Sequence, residues 1–307
     1  MFSLKDLTEK FLRWVKLHRA ERTEEYYRAQ LEKAVQLIGD IQADELTPLH
    51  LTELPRSWHV VQALQRLYAW ACREAKLLKK NPLRRTVKPR LGRRHRLLTR
   101  AELVCLLRAA AAPFRRFLFC MIESSARPQE VRGLRWEFLR WPPEARTVAE
   151  ALRSGLAWFE LCDYKARDLR ADSTTPRVIP VSPRLGRLLT RLLRGRPAAV
   201  GPVFLNRRHK EWNKNTVVCA MRRLRKATGL ALPPRTGGEQ ICCYSLRHTR
   251  ATQLAERGMP THHLQTLLGH ASIETTMKYV HLQNAAALAA WQKWCAEQRG
   301  KDGGKSA

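Results

Sequence analysis

The sequence predicts a mainly α-helical chain with a small β-sheet or hairpin in its second half, folded as two domains. The chain has 307 residues, enough for two domains of about 150 residues each. Apolar residues recur at helical spacing through most of the sequence, and only two short segments have the composition of strands. We predict a helical domain over residues 1–82, a basic linker over 83–98, a second domain over 99–290, and the end of a last helix with a disordered tail over 291–307.

Four helices are predicted in the first domain, from apolar spacing and from residues that typically begin or end helices. Ser3 is a suitable cap for a segment whose apolar residues recur every three or four positions. The predicted boundaries, in chain order, are Ser3 for the start of the first helix, Thr23 to Gly39 for the second, residues 47–54 for a short third, and Ser57 to Asn81-Pro82 for the fourth.

The second domain is predicted to begin with a capping box, Thr99 followed three residues later by Glu102. Two segments have strand character, residues 158–161 and residues 177–181, and a long polar stretch separates them. They predict a β-hairpin with a long loop. Helices are predicted again from about residue 183 onward.

The charge of the chain points to a polyanionic partner. Lys and Arg number 57 against 27 Asp and Glu, which leaves a formal net charge of +30. Nucleic acid is the simplest such partner, and an anionic membrane is disfavoured because the basic residues are spread along the whole chain. We expect the linker to bind the DNA backbone through its basic residues Arg84, Arg85, Lys88, Arg90, Arg93 and Arg94.

Several classes of protein are excluded by what the sequence lacks. No apolar run approaches the ~18 residues that span a bilayer, and the N-terminus has no apolar signal region. The eight cysteines form no CxxC pair, so we expect reduced thiols, mostly small core residues, in a cytoplasmic protein. Walker A and HExxH motifs are absent as well. We therefore expect no metal, no cofactor and no membrane partner.

Four segments carry residues suited to chemistry at a phosphate. The first contains Arg127, then Glu130 three residues on, and then a Leu-x-Trp at 134–136. The second is Lys165 in the predicted hairpin, and the third is residues 244–249, which read Tyr-Ser-Leu-Arg-His-Thr. The fourth is Leu-Gly-His at 268–270, followed nine residues later by Tyr279. Gly269 in this segment is predicted to end the preceding helix.

Taken in this order, the four segments resemble the motifs of the tyrosine recombinase (phage integrase) family, and the resemblance covers nearly the whole chain. It implies a helical core-binding domain followed by an integrase-like catalytic domain. The family's second motif begins with a histidine, and here Tyr244 replaces it. A residue of this kind cannot accept a proton near neutral pH as imidazole can, although it could still hydrogen-bond the phosphate or Tyr279. Because the chain begins directly with the core-binding unit, we expect a simple core site with no arm-binding module.

The resemblance assigns catalytic roles to Arg127, Lys165, Tyr244, Arg247, His270 and Tyr279. Without a metal, the charge that develops on a phosphate must be met by side chains, and two guanidinium groups offer paired N–H donors to its oxygens. The ammonium of Lys165 is the candidate acid for the leaving 5′ oxygen. His270 is expected to hydrogen-bond the scissile phosphate. Each arginine alone is more often a solvated charge, and only the motif context reverses that expectation.

Three further residues have two interpretations each. Tyr279 is the candidate nucleophile, on a helix that Ser272 caps, but a tyrosine at helical spacing is ordinarily a core residue. His248 follows the second arginine, and we expect it to be a buried structural histidine. Glu130 is expected to orient Arg127 rather than to act as a base. The segment around residues 284–297 either docks on a neighbouring subunit, as in the family, or packs within its own chain.

The resemblance therefore implies a site-specific DNA recombinase or integrase that acts without metal or ATP. A 3′-phosphotyrosyl link would conserve the energy of the broken phosphodiester. The expected partners are double-stranded DNA and three further copies of the chain, as a tetramer on paired sites that is a monomer or dimer off DNA. Two alternatives remain: a recombinase-fold protein that binds DNA without cutting it, and a DNA-relaxing enzyme similar to type IB topoisomerases.

Overall fold

A computed structural model describes residues 2–52, 54, 58–86, 96–162, 176–194, 200–230 and 240–280. The chain divides into two compact units, Met1–Gly92 and Arg93–Ala307, and each is described by itself below. The described residues form twelve α-helices and one three-stranded antiparallel sheet. The predicted mainly α-helical fold with a small sheet is confirmed.

The first unit is built from three α-helices and a short 3₁₀ turn around one apolar core. Phe11 is fully buried at its centre, with its ring 5.2 Å from that of Tyr27 and 5.3 Å from that of Trp70. Ser3 caps the first helix as predicted: its hydroxyl accepts from the amide of Asp6 at 3.1 Å. The elements are α1 (Leu4–His18), α2 (Glu21–Ile38), the 3₁₀ turn (Pro48–Thr52) and α3 (Trp58–Arg73).

Two predicted boundaries in this unit differ from the structure. Helix α2 begins two residues before Thr23 and has no side-chain cap. Helix α3 ends at Arg73, well before the Asn-Pro pair that was predicted to stop it. The amide of Leu77 donates to the carbonyl of Ala71 at 2.7 Å, and Lys76 has a left-handed φ of 51°. These local features turn the chain before the proline is reached.

The second unit surrounds its own apolar core, which includes Phe117, Leu118 and Met121 of its second helix. The capping box at Thr99 is present as predicted. The helices of this unit are α4 (Arg100–Ala109), α5 (Ala112–Ser124), α6 (Pro128–Arg132), α7 (Val148–Ser154), α8 (Pro183–Arg194), α9 (Lys214–Ala227), α10 (Cys243–Glu256), α11 (Thr261–Leu268) and α12 (Glu274–Val280).

The sheet of this unit has the order β1-β2-β3, with strands β1 (Leu139–Arg140), β2 (Trp158–Leu161) and β3 (Arg177–Pro180). The hairpin predicted from the two strand patterns corresponds to β2 and β3, which pair in register with Phe159 opposite Ile179. Strand β1 was not predicted, since two residues are too short to show an alternating pattern. It exists because Leu139 pairs with Phe159.

The prediction that the cysteines are mostly core residues was wrong: of the seven described, only Cys120 and Cys243 are buried. Cys105, for example, lies beside Leu106, the single buried residue of α4, rather than on the buried face itself. Across the described ranges, no helix combines the length and the apolar character needed to cross a membrane. The predicted last helix and tail lie outside the described residues.

Candidate active site

Arg127 is held at the junction between α5 and α6. It occupies the N-cap position of α6, and its backbone amide donates to Glu130 Oε2 at 2.8 Å. Its Nη1 donates to Oε1 of the same carboxylate at 2.7 Å, and Glu130 is only 3% exposed. A buried carboxylate thus fixes both the backbone and the head of Arg127, which is the orienting contact expected of Glu130.

Arg247 lies on α10 and is almost fully buried. Its Nη1 donates to the carbonyl of Ser125 at 2.7 Å, and its Nη2 donates to the carbonyl of Leu268 at 2.5 Å. Burial lowers the pKa of Arg247 to about 10, and the nearby charge of Arg127 acts in the same direction. The guanidinium is nevertheless cationic at neutral pH. Because it donates to carbonyls of Ser125 and Leu268, it links the end of α5 to the end of α11.

Both motif arginines donate hydrogen bonds to carbonyls at the C-terminal end of α11. Gly269 ends this helix in the left-handed conformation, with φ 61° and ψ 45°, as predicted for a glycine at this position. Its carbonyl accepts from Nη2 of Arg127 at 2.8 Å, next to the carbonyl of Leu268 that accepts from Arg247. The last carbonyls of a helix are unsatisfied and carry partial negative charge, so they attract cations.

His270 follows this turn and has a partner on each ring nitrogen. Nε2 lies 3.1 Å from Nη2 of Arg247, and Nδ1 lies 2.8 Å from the hydroxyl of the buried Thr276. Because guanidinium only donates, Nε2 is an acceptor, and the ring proton resides on Nδ1. Burial lowers the pKa of His270 to about 3, and the charges of Arg247, Arg127 and others add to this effect. The imidazole is therefore neutral.

Tyr279, on α12, is 6% exposed and borders both an apolar cluster and the arginine site. Its ring is stacked on that of His270, with 6.5 Å between centroids and 10° between planes. Burial raises the pKa of the Tyr279 phenol, while the charges of Arg247 and Arg127 oppose that rise. The two interpretations of this tyrosine are thus compatible: its ring packs in an apolar cluster and also stacks on His270 of the site.

His248 is less buried than the sequence predicted. The ring is half-buried, and Nδ1 lies 2.7 Å from the hydroxyl of Tyr279. Residues 248, 251 and 255 follow the i, i+3, i+7 spacing of one helical face, and Ala251 and Ala255 belong to the cluster that holds Tyr279. This spacing was a signal in the sequence that His248 points toward the tyrosine.

Arg177, at the start of β3, is a site residue that the motifs did not indicate. Its Nη1 donates to the carbonyls of Val178 at 2.7 Å and Thr266 at 2.9 Å, and its Nη2 donates to that of Leu267 at 2.5 Å. Its Nε lies 3.8 Å from Oε1 of Glu130. A third guanidinium, itself buried, therefore supports the same end of α11.

The remaining predicted site residues are Tyr244, Lys165 and the basic residues of the linker. Tyr244 is the second residue of α10, is 42% exposed, and has no hydrogen bond to the other site residues that the structure describes. Lys165 lies outside the described residues, as do Lys88, Arg90, Arg93 and Arg94 of the linker. Arg84 and Arg85 are described and exposed; with other basic residues of the first unit they line a cavity of about 560 Å³.

The arrangement presents fixed cationic groups next to a phenol. Arg127 and Arg247 have defined orientations before any ligand arrives, which is the property needed to bind a phosphate without reorganisation. His270 is neutral, so it accepts a hydrogen bond from Arg247 and adds no charge to the site. Within the described ranges, no cluster of His, Cys, Asp or Glu forms a metal site.

Comparisons with known proteins identify the family of this chain. Residues 96–286 match the Phage integrase family, which is well over half of the chain, so the chain belongs to that family. Tyrosine recombinase XerC of Pelobacter propionicus is 31% identical over 149 residues, covering 45% of this chain and 47% of the relative. Tyrosine recombinase XerA of Pyrococcus horikoshii is 30% identical over 150 residues, covering 43% and 50%. The chain spans about half the length of the curated relatives it matches.

Solved structures share the fold at low sequence identity. A lambda integrase dimer bound to a COC′ core site aligns with a TM-score of 0.67 and 16% identity, covering 91% of this chain and 77% of that one. The Tn1549 transposon integrase in complex with a circular intermediate DNA aligns with a TM-score of 0.67 and 16% identity, covering 96% and 100%. The fold is therefore that of integrases.

Proposed function

We propose that this chain is a site-specific DNA recombinase or integrase that cleaves and rejoins DNA through a 3′-phosphotyrosyl intermediate. The observation that carries the proposal is the meeting of Arg127, Arg247 and His270 with the Tyr279 ring at the end of α11. Four motif residues that are separated in sequence share one place in the fold, and they supply a nucleophile and the cationic groups that bind a phosphate.

In the proposed reaction, the guanidinium groups of Arg127 and Arg247 bind the non-bridging oxygens of the scissile phosphate. The Tyr279 hydroxyl attacks phosphorus, the bond to the 5′ oxygen breaks, and that oxygen takes up a proton. Lys165 is our candidate for the proton donor. The phosphotyrosyl bond keeps the energy of the phosphodiester, so rejoining needs no ATP.

Different observations support the proposed roles of His270 and Tyr244. In the DNA-free chain, Nε2 of His270 accepts from Arg247, so a hydrogen bond from this nitrogen to the phosphate requires a change of tautomer. Tyr244 is exposed at the first turn of α10, where its hydroxyl is available to a bound phosphate. We assign both residues to phosphate binding rather than to proton transfer.

Double-stranded DNA is the proposed substrate, and the net charge of +30 supports it. We propose that the first unit and the basic residues of the linker bind the DNA backbone around the core site. A lambda integrase tetramer bound to a Holliday junction shares this fold, with a TM-score of 0.66 and 15% identity, covering 90% of this chain and 77% of that one. By analogy, we propose a tetramer on two paired sites, with a monomer or dimer before synapsis.

The experiment is covalent trapping on nicked duplexes drawn from the DNA that flanks the gene. A nick beside the scissile phosphate lets the short fragment that carries the free 5′ hydroxyl diffuse away, so a protein–DNA adduct accumulates and survives denaturation. We expect an adduct with the full chain and none with Tyr279→Phe, although this variant should still bind the duplex. Binding by the full chain without any adduct would instead support the DNA-binding protein that lacks cleavage activity.

A further inference from the structure

The Tyr279 hydroxyl is in contact with a second imidazole, one that the family motifs do not assign to the reaction. Nδ1 of His248 lies 2.7 Å from Oη of Tyr279, which is a short and direct hydrogen bond. The rings are 6.0 Å apart and inclined by 39°, so the contact is made by the hydroxyl and not by stacking. A nitrogen that touches the attacking oxygen is well placed to exchange a proton with it.

The other groups around Tyr279 are unsuited to receive that proton. Both nitrogens of His270 are engaged, by Arg247 and by Thr276, and burial with the surrounding charges lowers the pKa of His270 to about 3. Arg127 and Arg247 have no acceptor atom. Both oxygens of Glu130 accept from Arg127. Among these neighbours, His248 is the group that contacts the hydroxyl itself through a ring nitrogen able to take up a proton.

The packing of α12 on α10 fixes this contact before DNA binds. Tyr279 belongs to the apolar cluster of Ala251, Ala255, Leu264 and Leu268. The two alanines are on the same face of α10 as His248, three and seven residues further on. Their small side chains allow α12 to lie close to α10, and the tyrosine ring is thereby held with its hydroxyl at the imidazole.

We propose that His248 is the general base for Tyr279, an inference that rests on the proposed cleavage reaction. During cleavage the Oη–phosphorus bond forms, the phosphorus–O5′ bond breaks, and the phenolic proton moves to Nδ1 of His248; the 5′ oxygen receives a different proton, from the donor for which Lys165 is the candidate. During rejoining the 5′ hydroxyl attacks phosphorus and gives its proton back to that donor, and His248 returns its own proton to Oη as the bond between Oη and phosphorus breaks. A phenol, whose pKa is ordinarily about 10, needs such activation near neutral pH.

The test is the single-turnover rate of adduct formation on the nicked duplex. We compare the wild-type chain with His248→Ala and with His248→Asn, which keeps a hydrogen-bonding group but cannot take a proton. His263→Ala, at an exposed histidine on α11, is the matched control. We expect a loss of about 10²- to 10⁴-fold in both His248 variants, the range for removal of a general base, and an unchanged rate in the control. Thermal unfolding and DNA binding report whether each variant is folded.

A second arm distinguishes proton transfer from positioning. Tyrosine 279 is replaced by 2,3,5-trifluorotyrosine, whose more acidic phenol depends less on a base. The ratio of the rate with His248 to the rate with His248→Asn should then fall by about tenfold or more. The reason is that a more acidic phenol gains less from a general base. A purely structural defect would persist unchanged with the fluorinated residue.

Three outcomes would overturn the inference. A wild-type rate in His248→Asn would show that a hydrogen bond is enough and that no proton is taken up. Faster cleavage in His248→Ala would show that the contact stores Tyr279 in an unreactive position. An undiminished deficit with trifluorotyrosine would assign His248 to positioning only. Absence of any adduct with the wild-type chain would overturn the proposed function as well, whereas these three outcomes leave it intact.

Discussion

A Cβ atom added at Gly269 would lie 2.6 Å from Nε of Arg177 and 2.9 Å from its Cδ. The guanidinium cannot move aside easily, because carbonyls of Thr266 and Leu267 hold it. Gly269 also has a φ of 61°, a conformation that side chains with a Cβ rarely adopt. Two independent constraints therefore require glycine at the turn that carries both arginine contacts and His270.

We expect Gly269→Ala to lower the free energy of unfolding by about 2–4 kcal/mol, of which about 1–2 kcal/mol comes from the left-handed backbone alone. Gly258→Ala is the matched control: its φ is 82°, and no atom lies within 4 Å of the added Cβ. Denaturant unfolding of the two variants separates the steric contribution from the backbone contribution. Equal losses in both would show that Arg177 does not constrain the turn.

We expect replacement of Ser125 by glycine to stabilise the fold. It has a φ of 56°, and its buried hydroxyl has no hydrogen-bond partner among the described residues. Its carbonyl, which accepts from Arg247, is retained by any side chain. We expect Ser125→Gly to raise the free energy of unfolding by about 1 kcal/mol, since relief of the left-handed strain exceeds the added flexibility of the unfolded chain.

Ser124→Gly provides the comparison for this prediction. Ser124 is the last residue of α5, and its hydroxyl donates to the carbonyl of Cys120 at 2.6 Å. Loss of this bond and of helical propensity should lower stability by about 1 kcal/mol. A decrease in stability on Ser125→Gly, in the same unfolding experiment, would mean that the left-handed conformation is not strained.

The low pKa of His270 predicts a pH dependence of stability with a definite sign. The pKa is about 3 in the folded chain and about 6.5 when unfolded, so between these values the unfolded chain binds a proton that the folded chain does not. Stability conferred by the neutral ring is complete above the unfolded value and is lost as the pH falls toward 3. The loss is at most about 1.4 kcal/mol per pH unit.

The measurement is the difference between the wild-type chain and His270→Asn in unfolding free energy at pH 7 and at pH 5. Acidification affects the carboxylates of both proteins equally. The difference between their unfolding free energies therefore reports the titration of residue 270 alone. We expect the wild-type chain to lose up to about 2 kcal/mol more than the variant over this interval. Parallel pH profiles would contradict a neutral His270 bonded to Arg247.

Lys165 is predicted to protonate the leaving 5′ oxygen. Lys165→Ala should therefore form the phosphotyrosyl adduct slowly on ordinary DNA, by about 10²-fold or more. On a duplex with sulfur in place of that bridging oxygen, the variant should approach the wild-type rate, because a thiolate leaves without a proton. Lys210→Ala, at an exposed lysine, is the control on both duplexes. A deficit of equal size on the sulfur substrate would remove Lys165 from this role.

Local signals predicted much of the fold but not the contacts between distant segments. Ser3, Thr99 and Gly269 predicted helix boundaries correctly because each acts on backbone groups within a few residues. Strand β1 exists only through its pairing with Phe159. No spacing in the sequence indicates that Arg177 donates to a carbonyl 89 residues away.

In the candidate site, too, the sequence predicted residues from local motifs and missed contacts between distant segments. The order of the motifs predicted Arg127, Arg247, His270 and Tyr279, and the fold brings these residues together. The contact of His248 with Tyr279 was not predicted, because it depends on what packs against α10 and a motif does not contain that information. The helical spacing of His248 with two small residues, Ala251 and Ala255, is the pattern that would have indicated it.

The most direct test of the central claim is to identify the amino acid that carries the DNA. The adduct trapped on the nicked duplex is digested with protease and nuclease, and the modified peptide is sequenced by mass spectrometry. We predict a nucleotide joined through its 3′ phosphate to Tyr279, on the peptide that follows His270. Attachment to Tyr244, or to any residue other than Tyr279, would contradict it.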